Sequence, residues 1–225
     1  MLSLLLFFVA CATSKPPKAN LEALLQPRSM EQRQAPDQFR VLLSTTKGDL
    51  LLEIYREWAP LGVDRFHHLV SIGYYQNIAF FRAINGFMIQ FGIHGNPEIN
   101  AVWQSNRIKD DPVQSSNTTG VISFASAGPN TRTVQLFINT QDNSTLDRMG
   151  FAPFGKVIDM TPDTPGMEVL RSIYTGYGEG APRGQGPSQG LLQSQGDAHL
   201  KKFPKLDYIH FARICKPFTA QNPCP

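Results

Sequence analysis

The feature that most constrains the fold of this chain is the stretch from Phe80 to Phe91, FFRAINGFMIQF, in which one arginine stands among apolar residues. The dipeptide Asn85-Gly86 divides it into two strand-like runs and is a strong signal for a tight turn. Strict alternation of side chains predicts Phe80, Arg82 and Ile84 on one face of the first strand. The stretch therefore predicts a hairpin that carries a charge on an apolar surface.

The arginine of this hairpin has two interpretations. In the first, Arg82 and Gln90 project near Phe87 and Met88, which gives a polar pair beside an apolar patch. In the second, Arg82 is solvated and its aliphatic stem lies over apolar neighbours, as is usual for lone arginines on strands. The pattern of the hairpin alone leaves both interpretations open.

Short strand-like runs occur on both sides of the hairpin, and two segments have helical periodicity. The helices are predicted over Trp58 to Ile72, with Pro60 in the first turn, and over Thr164 to Tyr174. The strands are predicted at 39–45 and 49–55, in the two halves of 80–91, from Val121, from Val134, near Phe154 and over Tyr208 to Ile214. This pattern indicates a mainly β fold, a closed eight-stranded antiparallel β-barrel capped by two α-helices.

The two ends of the chain differ in composition from this central region. An apolar run comes first, and a polar segment that contains four prolines follows it. We interpret the chain as a signal peptide or lipoprotein leader at 1–12, a polar tether at 13–36, one domain at 37–215 and a C-terminal tail at 216–225.

The leader, MLSLLLFFVACA, is too short for a membrane span of roughly 20 residues but suits a signal-peptide core. Ala10-Cys11-Ala12 fits cleavage between small residues, whereas Phe8 to Cys11 loosely resembles a bacterial lipobox. An uncleaved apolar tip is a third alternative. The sequence predicts an extracytoplasmic protein, in a bacterial periplasm or envelope or in a eukaryotic secretory pathway. A membrane would be a partner only if Cys11 is lipidated or the leader is uncleaved.

Composition and spacing exclude several kinds of site. The net charge is only +3, and no run of lysine and arginine is interleaved with aromatics, so nucleic-acid binding is not expected. The glycine-rich segment 176–190 lacks the Lys-Ser/Thr of a phosphate loop and is predicted to be a surface loop. The polar segment 93–117 is likewise predicted to be a loop over the strands. No spacing of His67, His68 or the cysteines indicates a metal site.

The cysteines nearest the C-terminus, Cys215 and Cys224, permit two arrangements. After export they could pair and pin the tail, and otherwise they are two free thiols.

Two further stretches accompany the hairpin. Val121 to Asn139 is VISFASAGPNTRTVQLFIN, and Leu146 to Val157 is LDRMGFAPFGKV. Together with FFRAINGFMIQF they resemble, in order and spacing, the motifs of the cyclophilins, the peptidyl-prolyl cis-trans isomerases. The resemblance covers about Phe39 to Ile214. The segment GYGEGAPRGQGPSQG and the later FPKLDYI also resemble an extension found in a mostly bacterial branch of that family.

The resemblance implies an isomerase that acts on X-Pro bonds of unfolded or flexible protein clients, without a cofactor or metal and as a monomer. It implies that Arg82 is the catalytic residue. The remaining implied residues bind the substrate in a groove: Phe87, Met88, Gln90, Ala125, Ser126, Ala127, Gln135, Phe137, Leu146 and Phe151. The alternative function is a module that binds proline peptides or acts as a chaperone with little turnover.

The chain departs from the family pattern at several positions. Thr145 stands where the family often has a tryptophan that helps to hold the cyclic peptide cyclosporin. Phe151 is matched to a family histidine, Ser126 to a common asparagine and Phe91 to a glycine. The resemblance therefore implies that the arginine and the proline pocket are intact. It also implies that the affinity for substrate and for cyclosporin is altered at one edge of the groove.

Overall fold

The computed structural model describes residues 19–27, 34–161, 165–215 and 224. Within these residues, nine strands form one antiparallel sheet. Their bounds are β1 Gln38–Thr45, β2 Gly48–Tyr55, β3 Ile78–Ala79, β4 Arg82–Ile84, β5 Met88–Phe91, β6 Val121–Phe124, β7 Leu136–Asn139, β8 Pro153–Ile158 and β9 Tyr208–Cys215. The mainly β prediction is confirmed.

The sheet curls into a half-barrel, and its strand order shows two ends where a closed barrel was predicted. The order is β3-β9-β1-β2-β8-β6-β7-β5-β4, so β3 and β4 lie at opposite ends. These two end strands are consecutive in the chain and are joined only by Phe80 and Phe81. The covalent chain therefore brings the two ends of the sheet together. The predicted count of eight strands becomes nine because the strand at this seam is broken into two.

The break also changes which side chains face the core. Phe80 and Ala83 both lie in the main hydrophobic core, whereas Phe81 belongs to a second cluster. Strict alternation would have placed Phe80 with Arg82, and that prediction is wrong. Between Phe80 and Ala83 the alternation of side chains is shifted by one position, as in a β-bulge. This shift keeps Arg82 out of the core.

Two helices contact the sheet as predicted, with slightly shifted bounds. They are α2 Pro60–Ser71 and α4 Gly166–Arg171. Helix α2 has no side-chain cap of its own. Its free N–H groups at Leu61 and Gly62 instead donate to the buried carboxylate of Asp111, at 3.0 and 2.9 Å. A carboxylate at this end also complements the helix dipole.

The described part of the chain contains four further helices that were not predicted as part of the domain. They are α1 Leu21–Leu25, α3 Pro97–Gln104, α5 Gln189–Gln195 and α6 Asp197–Leu200. Helix α3 contradicts the prediction of a loop over 93–117. Asn96 caps it by accepting from the N–H of Glu98, and Pro97 occupies its first turn, which are the ordinary signals of a helix start.

The described part of the predicted tether packs on the domain. Ala23 and Leu24 of α1 are buried in the main core, and the indole N–H of Trp103 donates to the carbonyl of Leu24 at 2.9 Å. Residues 19–25 are therefore part of the folded domain rather than a free linker. The predicted leader at 1–12 lies outside the described residues.

The segment between α4 and β9, which we call the insertion, shares a small hydrophobic cluster with residues at and near the sheet, separate from the main core. Its cluster consists of Ala79, Phe81, Ile93, Leu192, Leu200 and Leu206. Because Phe81 belongs to this cluster and precedes Arg82, the insertion is anchored beside the residue predicted to be catalytic.

The last strand ends at a covalent link. Strand β9 pairs with β1, with Val41 opposite Ile214. Cys215 forms a disulfide with Cys224, which decides between the two alternatives for these thiols. The rest of the predicted tail, residues 216–223 and 225, lies outside the described residues.

Candidate active site

The predicted hairpin forms and brings Arg82 and Gln90 together. In the pairing of β4 with β5, Arg82 is directly opposite Gln90 and Ile84 is opposite Met88. Gly86 has a φ of +68° at the turn, a conformation that glycine adopts without steric cost. The Nη1 of Arg82 donates to Oε1 of Gln90 at 3.0 Å. The first interpretation of Arg82, a polar pair beside an apolar patch, agrees with this geometry.

A chain of polar side chains runs across the site through Arg82. Gln90 receives a hydrogen bond from Arg82 and donates its Nε2 to Oε1 of Gln135 at 2.9 Å. On the other side, Glu179 accepts from Nε and Nη2 of Arg82, both at 2.7 Å. The arginine is 20% exposed and the glutamate 32%. The guanidinium is therefore held from two sides at the surface of the groove.

An apolar cluster separate from the main core lies beside this chain. Met88, Phe137 and Leu146 are buried in it, and Ile84, Phe87, Ala125 and Phe151 pack against them. The guanidinium of Arg82 lies 5.9 Å from the centre of the Phe87 ring, within the range of a cation–π contact. The combination of an apolar floor and one oriented guanidinium suits a prolyl ring with an amide beside it.

Buried polar groups fix the parts of the cluster that lie on loops. Nδ2 of Asn143 and the backbone N–H of Thr140 donate to the carbonyl of Phe87, at 2.7 and 3.0 Å. Nδ2 of Asn117 donates both to Asp147 and to the carbonyl of Phe151, at 2.8 Å each. The pKa of Asp147 is lowered even though burial opposes the shift, because Ser116 and Asn117 donate to its carboxylate.

One groove, with a volume of about 480 Å³, contains every site residue that the sequence predicts. This volume is typical of a small-ligand site. Six further residues line it: Gln104, Arg107, Thr131, Thr133, Gln189 and Gln193. The side of the groove that α5 lines was not predicted, because residues near 190 were interpreted as a surface loop. Gln189 and Gln193 are four residues apart on that helix, so they share one face.

The sequence model of the family described as Cyclophilin type peptidyl-prolyl cis-trans isomerase/CLD matches residues 40–188, which is more than half of the chain. The chain belongs to this cyclophilin-type isomerase family. The match spans the hairpin of Arg82, the whole apolar cluster and Glu179.

Individual cyclophilins agree with this assignment. The chain is 36% identical over 135 residues to peptidyl-prolyl cis-trans isomerase-like 3 of Rhizopus delemar, covering 55% of this chain and 78% of that protein. It is also 36% identical over 137 residues to the human protein of the same name, covering 59% and 80%.

A solved structure shares the fold. It is the cyclophilin-type isomerase of Cryptosporidium parvum, crystallised in the presence of the dipeptide Ala-Pro. The TM-score is 0.54 at 24% identity, and the likeness covers 78% of this chain and 98% of that one.

Within this cyclophilin, the departures from the family pattern fall in distinct places. Thr145 is exposed beside Leu146, and Phe91 points into the main core, where its ring lies 5.5 Å from that of Phe80. Ser126 and Phe151 both line the groove. The structure thus places Phe151 at the pocket wall, where the sequence had matched it to the family histidine.

Glu179, which accepts two hydrogen bonds from Arg82, was also absent from the predicted site. It lies in the glycine-rich segment that was predicted to be a surface loop, 97 positions from its partner Arg82. A single carboxylate among the glycines of residues 176–190 is the only signal that the sequence contains. No group of three or more histidine, cysteine, aspartate or glutamate side chains within the described ranges could hold a metal ion.

Proposed function

We propose that this cyclophilin accelerates the cis-trans isomerisation of X-Pro bonds in exported, unfolded or flexible protein clients, with Arg82 as the catalytic residue. The observation that carries the proposal is the position of Arg82. Its guanidinium borders the apolar cluster of the groove and is oriented by hydrogen bonds to Gln90 and Glu179.

The chemistry of the reaction explains why an oriented guanidinium is sufficient. Rotation about an X-Pro amide meets a barrier of roughly 18–20 kcal/mol because resonance gives the C–N bond double-bond character. At the top of the barrier, conjugation is lost and the prolyl nitrogen becomes a hydrogen-bond acceptor. A donor that binds this twisted state more strongly than either planar state lowers the barrier. Arg82 would provide that donor.

The substrate would be held on both sides of the reacting bond. The prolyl ring would enter the apolar cluster around Met88, Phe137 and Leu146, and burial of apolar surface favours that position. Gln90 would anchor the carbonyl region of the substrate, and Ala125, Ser126 and Ala127 would line the extended groove, as the family resemblance implies. The Ala-Pro dipeptide named with the Cryptosporidium parvum structure supports a proline-containing ligand for this groove.

We also propose that the chain is exported and that it belongs to the mostly bacterial branch of the family. The apolar sequence of residues 1–12 favours a leader, and the Cys215–Cys224 disulfide favours an oxidising compartment, where such links persist. No described helix is long and apolar enough to cross a membrane. Proline-containing segments of proteins that fold after export are then the natural clients.

The experiment for this proposal has two arms. In the first, the purified chain is added to a protein whose refolding is limited by a slow prolyl isomerisation, and the slow phase should become faster in proportion to enzyme concentration. A binding module with little turnover would leave the slow phase unchanged or retard it. In the second, the full-length chain and a chain without residues 1–12 are expressed in a bacterium and fractionated. The full-length chain should leave the cytoplasm and the shortened chain should stay, and equal distributions would contradict the export.

A further inference from the structure

We propose that Glu179 is a positioning residue for Arg82, so that the insertion between α4 and β9 completes the catalytic groove instead of covering a remote surface. The inference rests on the catalytic role proposed for Arg82. Its first support is the ion pair itself, in which both oxygens of the carboxylate accept from Nε and Nη2 at 2.7 Å. Such paired, charge-assisted bonds fix the plane of a guanidinium as well as its position.

The backbone places the two residues opposite each other. Ala83 of β4 forms an isolated antiparallel bridge with Gly178. In an antiparallel pair the residue after one partner faces the residue before the other, so Arg82 and Glu179 occupy the next cross-strand position. Side chains at such positions lie on the same face and interact directly. The insertion therefore meets β4 at one bridge position, next to Arg82.

The glycines of the insertion hold Glu179 at this place. Gly186 donates its N–H to the carbonyl of Glu179 at 2.8 Å, and Gly180 donates its N–H to Oε1 of the same residue at 2.9 Å. A Cβ at Gly184 would clash with the carbonyl oxygen of Glu179. The glycines therefore allow the backbone to turn closely around Glu179. This close approach is a structural reason for the glycine-rich composition.

A hydrophobic contact attaches the insertion to the same strand. Phe81, the neighbour of Arg82, is 1% exposed and lies in one cluster with Leu192 of α5 and Leu200 of α6. The glutamate is consequently tied to β4 by the backbone bridge and by this cluster, independently of the ion pair. An ion pair between two unconnected surface side chains would have neither the backbone bridge nor the hydrophobic cluster.

The remaining hydrogen-bonding capacity of Arg82 fits a positioning role. A guanidinium has five N–H groups. Glu179 takes two, Gln90 takes one, and Nη1 also lies 3.6 Å from the sulfur of Met88. Within the part of the chain that the structure describes, one N–H of Nη2 remains for the substrate. If the carboxylate of Glu179 accepted from every N–H of Arg82, no donor would remain for the substrate. Glu179 accepts from only two of them.

The test measures isomerisation of a bound X-Pro peptide by exchange NMR, with peptide affinity measured separately. Glu179→Gln keeps the shape of the side chain and removes its charge. The expected result is a fall of about tenfold in turnover, with peptide affinity changed by less than twofold and the circular dichroism spectrum unchanged. Glu168→Gln, an exposed glutamate of α4, is the matched control and should keep wild-type turnover. Unchanged or raised turnover in Glu179→Gln would overturn the proposal.

A second arm separates this inference from the role of Arg82. Glu179→Gln should have no further effect in an Arg82→Ala background, because its action passes through the guanidinium. If Arg82→Ala keeps full turnover, the proposed function of Arg82 fails. If Arg82→Ala is inactive while Glu179→Gln is fully active, the catalytic role stands and only the positioning role is refuted.

The wild-type chain supplies a readout that needs no variant. Hydrogen bonds from Arg82 lower the pKa of Glu179 from its ordinary value of 4.5, and Arg183 is the other charge that faces it. The ion pair is therefore complete above pH 4.5 and is lost as the pH falls through the lowered pKa. The Nε–H signal of Arg82 in a ¹⁵N-labelled chain should be protected from solvent exchange at neutral pH, where the pair is complete. An Nε–H that exchanges freely at neutral pH would contradict the proposal.

Discussion

The ring of Phe151 meets the ring of Phe137 edge to face, with 5.5 Å between their centres and 84° between their planes. Both rings belong to the apolar cluster of the groove, which is separate from the main core. Phe137 is carried by β7 and is 5% exposed, whereas Phe151 follows a short 3-10 turn and is more open. One wall of the proposed proline pocket is thus carried by a strand of the sheet and the other by a loop.

The first prediction follows from this pair. Phe137→Ala should lower both peptide affinity and the free energy of unfolding, because it removes pocket surface and leaves a cavity. Truncations of buried phenylalanine cost about 3–5 kcal/mol. Denaturant unfolding and peptide titration measure the two effects. Leu136→Ala, whose side chain points into the main core, is the control and should lower stability with much less effect on affinity. Full stability of Phe137→Ala would show that the residue belongs to the pocket alone.

The second prediction concerns the Cys215–Cys224 disulfide. Cys224→Ser should lower the free energy of unfolding by about 2–3 kcal/mol, since the link closes a short loop and limits the unfolded chain. Isomerase turnover should stay at the wild-type level, because Cys215 ends a strand that does not border the groove. Denaturant unfolding with and without reductant measures the change. Equal stability of the reduced and oxidised wild-type chain would contradict this prediction.

The hairpin shows which parts of the site the sequence could predict. The Asn85-Gly86 turn is a local signal, so the hairpin followed from residues only a few positions apart. The pairing of Arg82 with Gln90 was one of two interpretations that the pattern left open, and the alternation was wrong at Phe80. The residues carried over from the family resemblance also lie together in one groove. Their individual roles in catalysis and binding stay predictions.

The errors have physical causes that a local pattern does not contain. The broken strand at Phe80 and Phe81 shifts the alternation because the insertion draws Phe81 into a second cluster. Helix α3 was missed because the polar composition of 93–117 outweighed the cap at Asn96 and the buried Ile99 and Trp103. Glu179 was missed because only tertiary structure brings it to Arg82.

The third prediction concerns Thr145, the position at which related proteins often have a tryptophan. Thr145 is exposed and precedes Leu146 of the pocket, so a larger side chain there would meet no buried neighbour. Thr145→Trp would add an indole N–H donor and a broad apolar face. A hydrogen bond to an otherwise unpaired acceptor is worth about 1–3 kcal/mol, so cyclosporin should bind about one to two decades more tightly. Calorimetric titration measures this change, and turnover should alter much less.

The outcome at Thr145 also checks the alignment of this region. If the wild-type chain already binds cyclosporin as tightly as tryptophan-bearing relatives, Thr145 is not the equivalent position. The roles given to Leu146 and Phe151 would then need to be reassigned.

The most direct test of the central claim is the isomerase turnover of Arg82→Ala, measured by exchange NMR on a short X-Pro peptide beside the wild-type chain. Arg40→Ala is the matched control, because Arg40 is 19% exposed and paired with Glu53 while Arg82 is 20% exposed and paired with Glu179. The account predicts at least a tenfold loss of turnover for Arg82→Ala in a folded chain, and wild-type turnover for Arg40→Ala. Wild-type turnover in folded Arg82→Ala would contradict it.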